Sequence, residues 1–382
     1  MMKKLLFSLL LFSFLSVASA ENYPVDVCFM AADLKYNAKD GVKICEIQHG
    51  SLSVFKGDKF RNPDDPSITD EFLRHLSSYH EKGHVVSMGM TSTSILSVLN
   101  QAPGWRTRDH LDEMLTDPDF LANARNVPND PHDISSYSGF LYSCWSPLLS
   151  QETFEAKYPG VVVIDKSSFP FWIDKYKMTT LFLANERLAS SKPKWGNYPK
   201  KYSLHLAEQI ISDLQCDTFV IKPRGAFLGN GVIIVEKENL DETLKYILRV
   251  SGNLAESKDQ AYNYWMSDRF DTFLVEEFIA SDLITLPHLE NRSYQPTMRV
   301  AVLLVYNKKC YEVHFLGSFW KTPELAIEEE GSFMKKHKSS SRLAIRCPVD
   351  PEIMNKVKVE LRVALPLLHE QMLKYKECNH TR

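Results

Sequence analysis

With 382 residues, of which 44% are hydrophobic, 11% aromatic and 24% charged, the chain has the apolar mass for two or three packed units. That excludes a small stapled scaffold and wholesale disorder. Apart from Lys3 and Lys4 near the N-terminus, 43 basic residues face 48 acidic ones, a net charge of −5 that argues against a nucleic-acid scaffold held by phosphate contacts.

Residues 1–20 combine those two lysines with an apolar run from Leu5 to Val17 and an Ala18-Ser19-Ala20 end, the pattern of a cleaved secretory leader. The apolar run is shorter than the ~20 residues that span a bilayer. The expectation is an exported protein, periplasmic or secreted, whose mature body lies outside the membrane. Seven scattered cysteines without a CxxC spacing, and twelve histidines without an HExxH spacing, specify neither a disulfide framework nor a zinc site.

Residues 25–48 read as a hairpin, two β-rich runs joined by a turn at Ala38-Lys39-Asp40-Gly41. HGSLSVFKG at 49–57 follows as a polar loop, and a Pro/Asp/Ser-rich stretch at 61–67 closes this unit. From about 68 the pattern runs helix, strand (HVVSMGM), helix (TSTSILSVLNQ), with a further short strand at VVVID, 161–165. This alternation predicts a small α/β unit over a largely parallel sheet. The interval 125–160 has no resolvable pattern. DKYKMTTLFLANERL at 174–188 is amphipathic at helical spacing.

From 203 the order becomes helix, strand (DTFVIKP), Gly-rich turn (RGAFLGN), strand (GVIIVEK) and helix (LDETLKYILRV). A polar insertion at 251–268 and the strands TFLVEEFI, TMRVAVLLVYN and YEVHFLGSFW come next, which describes an α+β unit on antiparallel strands. The chain ends in a long amphipathic helix from 351, expected to be interrupted or kinked near Pro366. The organisation expected is a leader at 1–20, a hairpin unit at 21–60, a Rossmann-like α/β unit at 61–172 and an α+β unit at 173–382.

Three strings carry chemistry. In FVIKPRGAFLGNGVIIVEK, Lys222 ends one strand, and Gly225, Gly229 and Gly231 populate the turn into the next. Glycines let backbone N–H groups approach an anion, and a strand lysine supplies a fixed positive charge for phosphate oxygens. The order is the reverse of a Walker loop, where the lysine follows the glycines and opens a helix. In TFLVEEFIASD, a strand with Glu276 and Glu277 can expose carboxylates at an edge while apolar neighbours line a slot for an aromatic base. Upstream, Asp174-Lys175 opens a helix 47 residues before Lys222.

Together these elements resemble the ATP-grasp superfamily, whose members hold ATP between two α+β lobes and ligate a carboxylate to an amine or similar nucleophile. The resemblance implies a two-lobed nucleotide cleft, with ATP and Mg²⁺ as cofactors. It implies that Lys175 and Lys222 hold phosphates, that the Gly225–Gly231 turn closes over them, and that Glu276, Glu277, Ile279 and Asp282 receive adenine and ribose. Arg299, in PTMRVAVLL, looks like the family's strand arginine that contacts the transferred phosphoryl group. Lys321, in SFWKTPE, is a candidate for the acceptor pocket.

The family's C-terminal metal hairpin, Asp, then Glu about a dozen residues on, then Asn, has no counterpart after residue 351. The N-terminal hairpin does carry such a pattern in Asp33, Glu46 and Gln48, hard oxygen donors suited to Mg²⁺, with Glu46 and Gln48 on one strand face. A circularly permuted member, its last hairpin moved to the N-terminus, accounts for this. The implied activity is an ATP- and Mg²⁺-dependent ligase that forms an acylphosphate and passes it to an amine or similar nucleophile on a small molecule or protein. The alternative is a catalytically inactive exported protein that uses the same cleft for binding. Export separates such a ligase from bacterial cytoplasmic ATP, and delivery into a host cell would restore it.

Overall fold

The computed structural model describes residues 23–50, 52–60, 65–86, 99, 101–143, 152–226, 229–248, 264–265, 267–339 and 345–380. The leader expected at 1–20, the helix expected at 91–101 except its residues 99 and 101, residues 251–263 of the polar insertion, and Phe227-Leu228 of the Gly-rich turn lie outside them.

Strand β1 (Asp26–Asn37) sits inside a five-stranded antiparallel sheet. On one side it pairs with β2 (Gly41–His49), and on the other with β13 (Thr297–Asn307), which continues through β14 (Cys310–Lys321) to the two-residue β15 (Arg346–Cys347). The first hairpin of the chain is thus stitched to a hairpin some 270 residues later. Period-two alternation gives β1 two buried faces. Cys28, Met30, Ala32 and Leu34 pack toward the C-terminal helix, whereas Val27, Phe29 and Ala31 pack toward the 68–164 region. The turn is set by Asn37, whose Oδ1 accepts from the N–H groups of Lys39 and Asp40 at 3.1 and 2.7 Å, and by Gly41 at φ +70°.

The C-terminal helix, Pro351–His380, runs through Pro366 as one element. No interruption occurs there, because Val357, Leu361, Leu365, Leu368 and Met372 bury a continuous stripe on the central sheet. The predicted helix at 174–188 is instead Lys175–Thr180, a single tight turn at Leu181–Ala184, and Glu186–Ser190. Asn185 starts the last piece by accepting from Arg187 N and Leu188 N, which a continuous helix would not allow. The loop expected at 49–57 contains a helical turn at Leu52–Phe55, with Val54 and Phe55 buried.

The parallel sheet is present, in the order β4 (Trp105–Arg108), β3 (Gly83–Val86), β5 (Phe140–Ser143), β6 (Val162–Val163). Strand β5 lies within the 125–160 interval that has no resolvable pattern, and β4 lies where the sequence reading placed no element. A third sheet, four-stranded and antiparallel, has the order β7 (Trp195–Pro199), β10 (Thr272–Glu277), β8 (Thr218–Pro223), β9 (Ile233–Glu236). One face of it is covered by helices Leu206–Leu214 and Leu240–Leu248 through Phe219, Ile221, Phe273 and Val275. The molecule therefore combines an α/β unit with α+β lobes, as the sequence pattern predicts. Among the described residues no helix is long and apolar enough to cross a membrane.

The helix Ile68–Tyr79 packs on β14, with the His75 and His314 rings 3.9 Å apart and the Tyr79 hydroxyl donating to Glu312 at 2.7 Å. Burial and the neighbouring imidazole push His314 down to about 4. The folded chain then holds fewer protons than the unfolded one, so this pair's stability is intact above pH ~6.5 and is lost as pH falls toward 4. For this half-buried ring the loss is about 1–2 kcal/mol after solvent screening. Denaturant midpoints at pH 7 and 4.5 should differ less in His314→Gln than in the native chain.

Candidate functional site

On the face of β1 that carries Phe29 and Ala31, the next two positions are Asp33 and Lys35, beyond the hydrophobic core and facing charge. Asp33 lies opposite Arg299 on β13 and opposite Glu46 on β2. A bulge at this point makes Cys45 an extra residue on β2, since Leu34 pairs with Ile44. It leaves Glu46 and Gln48 beside Asp33 and turns the Cys45 carbonyl toward the third sheet.

Asp33 is buried, and its carboxylate is fully engaged. Arg299 donates Nε to Oδ1 and Nη2 to Oδ2, both at 2.7 Å, and Lys321 donates to Oδ2 at 2.7 Å. Burial alone would raise the Asp33 pKa; Arg299 and Lys321 instead hold it well below the usual carboxylate range. Gln48 accepts from Arg299 at 3.0 Å and turns its Nε2 to Asp33 at 3.3 Å and Glu46 at 3.0 Å. Glu46 lies 3.3 Å from the Lys175 ammonium, which also donates to the Ala226 carbonyl. Burial opposes ionisation of Glu46, but Lys175 wins and lowers its pKa.

The second cluster lies on the uncovered face of the third sheet. Lys222 pairs across with Leu274, and Glu276 is its diagonal neighbour on the same face. Glu276 is 2% exposed and accepts from Lys222 at 2.6 Å and from Lys192 at 2.7 Å. Both ammonium groups also donate to the Cys45 carbonyl, each at 3.1 Å, which joins the two clusters. Burial disfavours each charge; Lys222 nevertheless stays raised by Glu276, while Lys192 is lowered. Lys35 is pushed down to about 8 by burial and donates to the Pro296 carbonyl at 2.9 Å.

The two lysine motifs are locked together by Arg224, immediately after Lys222-Pro223. Its guanidinium grips Asp174 through Nε and Nη2 at 2.6 and 2.7 Å, while Asp174 caps the helix that Lys175 opens. Gly229 and Gly231 take φ of +73° and +70°, which side chains resist, and a Cβ at Gly231 would strike the Pro223 ring. Gly225 lies against Phe270.

Several expectations need correction. Because β10 is an interior strand, Glu276 does not offer its carboxylate at an edge; it is the counter-ion of two buried lysines. Glu277 turns away to accept from the Lys194 N–H at 2.8 Å. Asp282 accepts from the Ala38 N–H at 2.8 Å and so ties itself to the first hairpin's turn. Ile279 is half-buried two residues beyond β10. Lys321 is buried on Asp33 rather than open to an acceptor. Lys192, Arg224 and the Cys45 carbonyl were not anticipated; Arg224 follows the Lys222-Pro223 pair and Cys45 precedes Glu46, whereas Lys192 stands near no motif.

Among the described residues, five cations (Lys175, Lys192, Lys222, Arg299 and Lys321) pair with three carboxylates (Asp33, Glu46 and Glu276) in one buried region. Such an excess in a region of low dielectric constant favours a polyanion.

No family model and no curated protein matches the chain. Similar solved structures include the D-cycloserine synthetase DcsG, with a TM-score of 0.38 and 10% identity over 75% of this chain and 81% of that one. Another is the D-alanyl-alanine synthetase A from Vibrio cholerae O1 biovar eltor, with a TM-score of 0.34 and 11% identity over 74% and 80%. A third is the D-alanine-D-alanine ligase from Coxiella burnetii, with a TM-score of 0.31 and 9% identity over 79% and 99%.

Proposed function

We propose that the chain is an ATP-dependent ligase of the ATP-grasp type, circularly permuted so that its first hairpin completes the nucleotide site. The observation that carries this reading is the excess of buried cations over carboxylates where Lys175 and Lys222 meet Glu46 and the Cys45 carbonyl. Lys175 and Lys222 bind the α- and β-phosphates, and the Gly225–Gly231 turn covers the outer ones with backbone N–H groups. Because the Glu276 carboxylate is held by two lysines, adenine and ribose fall to the backbone and apolar side chains of the segment from Glu277 to Asp282, in which Ile279 is half-buried.

Asp33, Glu46 and Gln48 offer the hard oxygen set that Mg²⁺ requires, once the Gln48 amide turns its oxygen inward. When bound, Mg²⁺ supplies charge neutralisation between the outer phosphates. Since Arg299 and Lys321 already neutralise Asp33, Mg²⁺ alone should bind weakly and Mg·ATP much better, because the phosphates draw those cations away. Titration calorimetry with each in turn checks this.

In the reaction, a substrate carboxylate oxygen attacks the γ-phosphorus and ADP departs, leaving an acylphosphate. An amine then attacks the acyl carbon, loses a proton and expels phosphate. Arg299 and Lys222 stabilise the charge that spreads over the phosphoryl oxygens, and most of the acceleration comes from positioning and electrostatics. The acceptor is a small molecule or a protein side chain. The leader at 1–20 adds export to this reading, with delivery to a host cell as the route to ATP.

A second reading, an exported binding protein without turnover, draws on the site's self-neutralisation: Asp33 and Glu276 already satisfy four of the five cations. Glu46→Ala separates the two. A ligase loses Mg·ATP-dependent phosphate release in this variant while keeping its denaturant midpoint within about 1 kcal/mol. Unchanged release would remove Glu46 from the site, and no nucleotide binding by the native chain would leave the binding protein.

A further inference from the structure

On the opposite face of β1, away from the cleft, four polar side chains converge in a dry seam. Asp26 and Cys28, two residues apart, both face the C-terminal helix, which contributes His369; Ser167 comes from the turn after β6. All four are at most 3% exposed. Asp26 Oδ1 is 2.8 Å from His369 Nε2, 2.7 Å from Ser167 Oγ and 3.4 Å from Cys28 Sγ. Sγ is 3.1 Å from that Oγ and 3.4 Å from Nε2, and Oγ is 3.4 Å from Nε2.

These six separations are the edges of a nearly regular tetrahedron. Its centre lies about 1.9 Å from each corner, so a slight outward relaxation reaches the zinc bond lengths of about 2.0–2.1 Å to nitrogen or oxygen and 2.3 Å to sulfur. Hydrogen bonding alone accounts for the arrangement less well. A carboxylate oxygen has two lone-pair sites, yet three donors crowd this one. The imidazole of His369, wholly buried, aims Nε2 into the same point.

We propose that Asp26, Cys28 and His369, with the Ser167 hydroxyl at the fourth corner, bind one divalent cation of the zinc class. Binding replaces the thiol proton, which leaves to solvent, so thiolate and carboxylate together balance the two positive charges. The resulting neutral unit suits a water-free seam. Thiolate, imidazole and carboxylate in a tetrahedron select zinc over magnesium or calcium. The site is closed, hence structural: it ties the C-terminal helix and the 165–168 turn to the strand that carries Asp33. No sequence spacing announces it, because the ligands come from three distant segments.

The test is metal analysis of the full chain, purified without added metal, followed by Co²⁺ titration. One zinc per chain, or one Co²⁺ giving a near-ultraviolet thiolate-to-cobalt band, is expected. The band should vanish in Cys28→Ser and persist in Cys310→Ser. Metal far below one per chain with no band at equimolar Co²⁺, or a band that survives Cys28→Ser, overturns the site. A readout without variants guards against misfolding. Chelator-treated native chain should melt at least about 5 °C lower and recover with Zn²⁺; no shift overturns the proposal.

Discussion

Glu276→Ala is expected to cost about 3–5 kcal/mol of folding stability. The carboxylate removed is 2% exposed, and it is what allows Lys192 and Lys222 to remain charged there. Without it, two ammonium groups converge on one neutral acceptor, the Cys45 carbonyl, and repel each other across it. The variant can relieve that repulsion by giving up a proton. Its lysine pKa values in the folded state would then fall below the unfolded value near 10.4, and raising the pH from 7 to 9 should recover part of the loss relative to the native chain. Glu276→Gln keeps an acceptor oxygen and should lose less. Denaturant midpoints for the three proteins at both pH values check this, and a loss under 1 kcal/mol for Glu276→Ala would mean that water reaches the lysines.

The same triad marks where sequence reading reaches its limit. Glu46 and Gln48 were legible as one strand face because alternation fixes it, but their meeting with Asp33 was not: the register set by the Asp-Gly turn would place Cys45 opposite Asp33, and only the bulge brings Glu46 there. Lys222 was legible because a strand lysine before a glycine turn is a local pattern. The environment of Glu276 was not. Whether a strand is an edge or an interior one depends on which distant segment pairs with it, and β7, supplied by WGNYP, carries no strong strand signal. Lys192 and the Cys45 carbonyl contribute through long-range packing and backbone direction, neither of which residue type encodes. At Asn185 the cap divides the helical stretch although Leu181, Phe182 and Leu188 on either side of it are buried, whereas at Pro366 the buried apolar stripe carries the helix through.

Arg299→Met is expected to lower ATP turnover by about 10³-fold while changing nucleotide affinity by no more than about threefold. In the resting site the arginine grips Asp33 with both prongs of its fork, a geometry that equally matches two oxygens of a phosphoryl group. In the proposed ligase its charge is one exchange of partners away from a transferred phosphoryl group, and Lys321, which also donates to Asp33, would hold that carboxylate when the fork swings away. Lys321 also limits the structural damage: Asp33 keeps one cation in the variant, so the stability loss should stay near 1–3 kcal/mol. Arg299→Lys discriminates between the two jobs. It restores a positive charge beside Asp33, and with it most of the denaturant midpoint, but it cannot reproduce the fork, so turnover should recover by tenfold at most. A purely structural arginine predicts the reverse, with stability and turnover recovering together. The measurement is phosphate release at saturating and limiting Mg·ATP alongside urea midpoints for the three proteins; full turnover in Arg299→Met would remove this residue from the chemistry.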